Sequence, residues 1–199
     1  MYALVAATRY IVERDVPGDI VECGVWRGGS AMICALTLLS LGVDSRRIHL
    51  FDTFSGMTAP TSKDRDVTGS SPVDRWAREE REDHNAWCYA PLDEVIANLR
   101  STGYPEQNLR FIKGRVEETL PAPELGSISL LRLDTDWYES TYHELKHLFP
   151  LVENGGVAIF DDYGYWQGAR EAVDTYFDEE DITLLMNRVD GSGRLVIKS

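Results

Sequence analysis

Short β-rich runs alternate along this chain with stretches of helical period, and that alternation limits the fold more than any other feature. Ile20 to Cys23, Ile48 to Phe51, Leu109 to Ile112, Ile128 to Leu133 and Val157 to Phe160 read as strands. Between them, Tyr2 to Arg14, Ser30 to Leu41, Leu92 to Ser101, Tyr138 to Phe149 and Ala169 to Phe177 read as helices. Short apolar strands separated by helices build a parallel sheet covered on both faces, an α/β fold. The tail departs from this pattern. Ile182 to Arg188 and Arg194 to Lys198 flank Asp190-Gly191-Ser192-Gly193, a hairpin signal, so the last strand is expected to run antiparallel.

With 199 residues, 43% of them hydrophobic, the chain is sized for one core, and no linker or repeat divides it. We expect one domain over residues 1–199 with a lid insertion at about 53–90. That segment is polar and punctuated by Gly and Pro, and a stretch this long in a compact domain is disordered or works as a lid. Within it, Arg75 to Asp83 reads as a solvated helix, and Trp76, Trp87 and Tyr89 are the expected ligand contacts.

Charge narrows the partners. Asp and Glu number 33 against 20 Lys and Arg, a formal net charge of −13, which repels phosphate backbones and anionic lipid. Neither nucleic acid nor a membrane is an expected partner. The apolar stretch Ala31 to Val43 is broken by Thr37 and Ser40 and falls short of the roughly 20 residues that span a bilayer. No basic region precedes Met1 to Ala7, and Arg9 ends that run, which speaks against a secretory leader. The 3 cysteines form no C-x-x-C pair, so a reducing, cytoplasmic setting is expected, with Cys23 and Cys34 as small core residues.

The chemistry concentrates at strand ends. Val21-Glu22-Cys23-Gly24-Val25-Trp26-Arg27-Gly28-Gly29-Ser30 runs from a strand through a Gly-rich turn into a helix. Its glycines allow close backbone approach to a ligand, and Ser30 is positioned to cap the helix. The spacing is not G-x-G-x-x-G, so a pyrophosphate-binding dinucleotide site is poorly supported. Asp52, ending His49-Leu50-Phe51-Asp52, adds weight, because a carboxylate there accepts hydrogen bonds from ribose hydroxyls. An adenosine-containing ligand follows; the competing reading is a tight turn and an exposed carboxylate.

A second constellation is sharper. Leu130-Leu131-Arg132-Leu133-Asp134-Thr135-Asp136 ends one strand and Val157-Ala158-Ile159-Phe160-Asp161-Asp162 ends another. Ligands bind at the carboxyl edge of open α/β sheets, and adjacent strands lie about 4.8 Å apart. Asp134, Asp161 and Asp162 can therefore share one hard cation, Mg²⁺ or Mn²⁺ or else Ca²⁺, in preference to zinc. The bland alternative is a set of helix caps. His143-Glu144-Leu145-Lys146-His147 also matches H-E-x-x-H, but both histidines lie away from the Leu145 stripe and are expected to face solvent with no third ligand.

Taken with Phe51-Asp52-Thr53-Phe54-Ser55-Gly56, Asp134-Thr135-Asp136-Trp137-Tyr138 and Gly155-Gly156 before Asp161-Asp162-Tyr163, these motifs resemble the macrocin O-methyltransferase family. The resemblance spans about residues 18–180. It implies a class I methyltransferase fold, a Rossmann-like sheet of seven strands, mostly parallel, with the last antiparallel. It also implies methyl transfer from S-adenosylmethionine to a sugar hydroxyl of a glycosylated small molecule in antibiotic tailoring, dependent on Mg²⁺ or Mn²⁺. By that resemblance Glu22 and Gly24 sit by the methionine end of the cofactor, Asp52 holds the ribose, and Arg115 to Glu117 border the adenine. Gly28, Ser30, Thr53, Ser55 and Asp134 complete the expected cofactor contacts. Asp134, Asp161 and Asp162 are the implied metal ligands and Asp136 the general base, with His84 of the lid as a second candidate base. Relatives in the family carry a longer N-terminal region that helps to enclose the acceptor and assemble oligomers; a homodimer is the expected assembly.

The expected chemistry has a physical basis. A free alcohol titrates near that of water, about 15.7, and an unperturbed Asp near 3.9, so a carboxylate alone is a feeble base and a cation must close the gap. Two other classes fit parts of the sequence. Asp134-Thr135-Asp136 resembles the D-x-D of magnesium-dependent aspartate phosphatases, although those place it on their first strand. An adenosine-ligand-binding module without turnover is the non-enzymatic reading.

Overall fold

The computed structural model describes residues 1–199. Seven strands form one sheet: β1 Asp19–Cys23, β2 Ile48–Asp52, β3 Leu109–Lys113, β4 Ile128–Leu133, β5 Val152–Phe160, β6 Asn187–Arg188 and β7 Arg194–Ile197. Their spatial order is β3-β2-β1-β4-β5-β7-β6. The first five run parallel, and β7 lies antiparallel to both β5 and β6. Strand order reverses between β1 and β4, the place where such sheets open a crevice at their carboxyl ends. The expected class I arrangement is what the chain adopts.

Seven α-helices accompany the sheet: α1 Tyr2–Glu13, α2 Gly29–Ser40, α3 Val73–Glu79, α4 Leu92–Ser101, α5 Val116–Thr119, α6 Tyr138–Leu148 and α7 Gln167–Glu179. Alternation within the strands divides the core by sheet face. Ile20, Leu130 and Ile159 pack with Ile11 of α1 and Leu38 of α2 on one side. Val21, Leu131 and Phe160 pack with Leu145 of α6 and Val173 of α7 on the other. Each such aliphatic side chain, once fully buried, contributes about 1.5–3 kcal/mol. No helix is long and apolar enough to cross a membrane.

Three expectations change. Ile182 to Arg188 yields only the two-residue β6, because the turn takes over at Val189: its amide donates to the Gly193 carbonyl, and Asp190 Oδ1 accepts from the Ser192 and Gly193 amides at 3.0 and 2.7 Å. Ser30 does not cap α2. Gly28 occupies the cap with no side-chain hydrogen bond, and its left-handed φ of 81° favours glycine; a Cβ there would also crowd Leu99 Cδ2 of α4. The helix expected at Arg75 to Asp83 is α3, which starts two residues earlier and ends four earlier, with no buried side chain.

The segment 53–90 is packed against the rest of the fold. Trp87, Trp137 and Trp166 form a buried aromatic cluster, with Trp87–Trp137 and Trp137–Trp166 centroids 5.8 and 5.0 Å apart. Trp137 Nε1 donates to the Thr58 carbonyl at 2.9 Å, and Trp76 Nε1 to that of Met57 at 2.9 Å. Asp64, fully buried, accepts from the Thr61 amide at 2.6 Å and from the Tyr138 amide, at the start of α6, at 2.8 Å. Trp76 and Trp87, expected as ligand contacts, are engaged in packing this segment, and neither lines the cavity at the carboxyl edge. Tyr89 stacks on His84 at 4.0 Å and likewise stays off the cavity wall.

Candidate active site

A solvent-open cavity lies at the carboxyl ends of β1, β2 and β4, the edge at which open α/β sheets bind ligands. Of the expected cofactor contacts, Gly24, Asp52, Thr53, Arg115, Glu117 and Asp134 line it, together with Asp136. Glu22, Gly28, Ser30 and Ser55 do not line it, nor does His84. Trp26, which no sequence motif singles out, does so at 52% exposure.

Each wall follows from local structure. Gly24 has φ 81°, and a Cβ there would stand 2.0 Å from the Asp134 carbonyl oxygen. Only glycine lets the β1 loop pass so close to the end of β4. Asp52 shapes the same loop: Oδ2 accepts from the Val25 and Trp26 amides at 2.6 and 3.1 Å, and Oδ1 from the Phe54 amide at 2.7 Å. A carboxylate offers about four acceptor positions; amides fill three, and the fourth meets only Thr53 Oγ1 at 3.5 Å, whose proton goes to the Gly56 carbonyl at 2.8 Å, so a ribose hydroxyl can take it. Arg115 Nε stands 3.4 Å from Glu117 Oε2 at the β3 side of the cavity. Ser55 turns its backbone to the lid, its carbonyl accepting from the Asn85 amide.

The acidic edge is assembled differently from expectation. Oxygens of Asp134, Asp136 and Asp162 lie within 4.8 Å of one another. Asp161 is instead drawn to Arg132, whose Nη2 is 2.9 Å from its Oδ1. The trio that the structure groups therefore shares Asp134 and Asp162 with the expected ligand set and exchanges Asp161 for Asp136. Burial, then the charges of Asp134 and Asp161, push Asp136 up to about 7 against a hydrogen bond from Asp162. Burial and the Asp136 charge push Asp162 up to about 9. Asp134 rises well above the usual carboxylate range, chiefly by burial, with Arg132 pulling the other way. Like charges this close do not all ionise unless a cation joins them. An oxygen-only donor set at this spacing fits a hard divalent ion.

Arg132 is the principal residue missed in the sequence. Its Nη1 reaches Glu22 Oε1 at 2.7 Å and Asp134 Oδ2 at 2.8 Å, and its side chain is 10% exposed. Burial alone would lower its pKa, but the charges of Asp134, Glu22 and Asp161 reverse that and keep it protonated. A signal existed: an arginine inside Leu130-Leu131-Arg132-Leu133, on a strand covered on both faces, must find carboxylate partners.

The H-E-x-x-H match dissolves structurally. His143 and His147 are half-exposed with ring centroids 4.4 Å apart, while Glu144 points the other way and is fully buried. Its Oε2 accepts from Thr135 Oγ1 at 3.2 Å, and burial pushes its carboxyl well up. His84 pairs with Asp83 at 2.7 Å, outside the cavity wall.

Known proteins place this geometry in context. The family model described as Macrocin-O-methyltransferase (TylF) matches residues 1–197. The 8-demethyl-8-(2,3-dimethoxy-alpha-L-rhamnosyl)-tetracenomycin-C 4'-O-methyltransferase of Streptomyces olivaceus is 37% identical over 183 residues, 92% of this chain and 67% of that protein. The mycinamicin III 3''-O-methyltransferase of Micromonospora griseorubida is 31% identical over 178 residues, 89% of this chain and 67% of that protein. Among solved structures, the O-methyltransferase NovP superposes with a TM-score of 0.85 at 29% identity, covering all of this chain and 78% of that one.

Proposed function

Because the chain belongs to the macrocin O-methyltransferase family, we propose that it transfers the methyl group of S-adenosylmethionine to a sugar hydroxyl of a glycosylated natural product, using Mg²⁺ or Mn²⁺. One observation carries the reading: a single cavity is walled both by Asp52 and Gly24, suited to an adenosine-bearing donor, and by Asp134 and Asp136 of the acidic edge.

Asp52 receives a ribose hydroxyl on its remaining acceptor position, and Arg115 and Glu117 border the adenine. Gly24 brings backbone against the methionine end. Asp134 and Asp162 would hold the cation, with Asp161, which Arg132 bonds at 2.9 Å, as the third carboxylate that the resemblance implies. When bound, the cation supplies Lewis acidity that brings the pKa of a coordinated alcohol within reach of a carboxylate base. Asp136, within 4.8 Å of its neighbours' oxygens, takes the hydroxyl proton. The lid, fixed by Asp64 and the tryptophan cluster, holds the acceptor and keeps water out as alkoxide and sulfonium charges annihilate. Asp134-Thr135-Asp136 ends β4, not a first strand, which argues against the phosphatase reading.

The test is incubation with S-adenosylmethionine, Mg²⁺ and a panel of glycosylated natural products, read by mass spectrometry. A gain of one methyl group that stops with chelator supports the proposal. Cofactor binding without transfer to any member of the panel favours the non-catalytic module, and cofactor-independent turnover of a phosphate ester favours the phosphatase.

A further inference from the structure

We propose that Arg132 is a positioning residue: one buried guanidinium, anchored by Glu22, sets the relative placement of Asp134 and Asp161 at the acidic edge. The inference rests on the reading of that edge as the cation site.

The arrangement follows from strand register. Glu22 of β1 pairs directly with Arg132 of β4, and Arg132 pairs with Ile159 of β5. Side chains two apart on a strand share a face. Arg132 and Asp134, and Ile159 and Asp161, therefore rise on the same side as Glu22. That side is the α1 and α2 face, where Ile20, Leu130 and Ile159 pack. Arg132 thus sits centrally among three carboxylates from three adjacent strands, at 2.7, 2.8 and 2.9 Å.

Only a planar fork bonds in this way. Guanidinium nitrogens diverge at fixed angles, so bonding Asp134 through Nη1 and Asp161 through Nη2 fixes the separation of the two carboxylates. Glu22 is the anchor of that fork. It is 3% exposed and lies off the cavity wall, and its carboxylate's only hydrogen bond is to Arg132. Glu22 thus acts on the edge through Arg132. Residues behind metal ligands typically alter affinity or activity ~10–100-fold when changed.

The experiment uses the full chain carrying Arg132→Lys, with Glu22→Gln as a second variant. Lysine keeps the positive charge and removes the fork, so the comparison isolates geometry from electrostatics. Mn²⁺ binding is measured without cofactor by electron paramagnetic resonance, alongside thermal melts, kcat and the cofactor KM. The expected result for Arg132→Lys is a folded protein whose Mn²⁺ affinity and kcat both fall ~10–100-fold, with cofactor KM moving far less because Arg132 does not itself line the cavity. Glu22→Gln should move the same quantities in the same direction by less. Wild-type Mn²⁺ affinity and kcat in Arg132→Lys would overturn the positioning role while leaving the cation site standing. If Arg132→Lys fails to fold, Glu22→Gln decides: unchanged Mn²⁺ affinity and kcat there overturn the role. Wild-type protein that binds no Mn²⁺ would overturn the cation site and the positioning role together.

Discussion

Replacing Asp64 with Asn should unfasten the lid. The Asp64 carboxylate is fully buried and accepts from the Thr61 amide at 2.6 Å, Thr61 Oγ1 at 2.9 Å and the Tyr138 amide at 2.8 Å. These donors approach both oxygens, so in either orientation an Asn amide group faces an N–H donor. At least one bond to a charged acceptor is lost and one buried amide is orphaned, together about 3 kcal/mol. For a chain of this size each kcal/mol moves the melting midpoint by about 2–4 °C, giving a fall of roughly 6–12 °C. Calorimetry reads the midpoint, and amide hydrogen exchange locates the loss. Exchange should accelerate across residues 53–90 and at the start of α6 and stay slow in β1 and β4. A midpoint within about 1 °C of wild type with unchanged lid exchange would refute the anchoring role.

Other expected outcomes follow from the same geometry. Asp136→Asn should cut turnover far more than cofactor affinity, and Asp52→Ala the reverse, measured by kcat and by cofactor titration; equal small effects would contradict both roles. Gly24→Ala places a Cβ 2.0 Å from the Asp134 carbonyl oxygen, so cofactor binding should be lost in titration calorimetry, and wild-type binding would disprove the close approach. Burial opposes ionisation of Asp19, but its bond to His49 Nε2 at 2.9 Å prevails and lowers its pKa below 3.8. That contribution is present above about pH 4 and fades as pH falls through the folded pKa. Asp19→Asn should therefore lower the urea midpoint at pH 6 and leave less of a difference at pH 3.

The sheet was legible because its signal is local: strands buried on both faces have to be apolar, and their helices have to be amphipathic. Asp52, Asp134 and Asp136 were legible because ligands collect at the carboxyl ends of such strands. What escaped depends on contacts far apart in sequence. Asp64 looked like one more polar residue in a polar loop, yet it ties that loop to Tyr138, 74 positions along the chain. Trp87 looked like a ligand contact because its partners, Trp137 and Trp166, lie on other segments. The ion pair of Glu22 with Arg132 also escaped, because the partners lie on β1 and β4 and meet only through strand register. The claim of Asp161 on the cation could not be weighed against that of Asp136 without knowing where Arg132 reaches.

The most direct test of the account is anomalous diffraction from crystals grown with Mn²⁺ and S-adenosylhomocysteine. The account predicts one strong peak within coordination distance of Asp134 and Asp162, beside cofactor density in the cavity walled by Asp52. Cofactor density there with no anomalous signal at the carboxyl ends of β4 and β5 would contradict it.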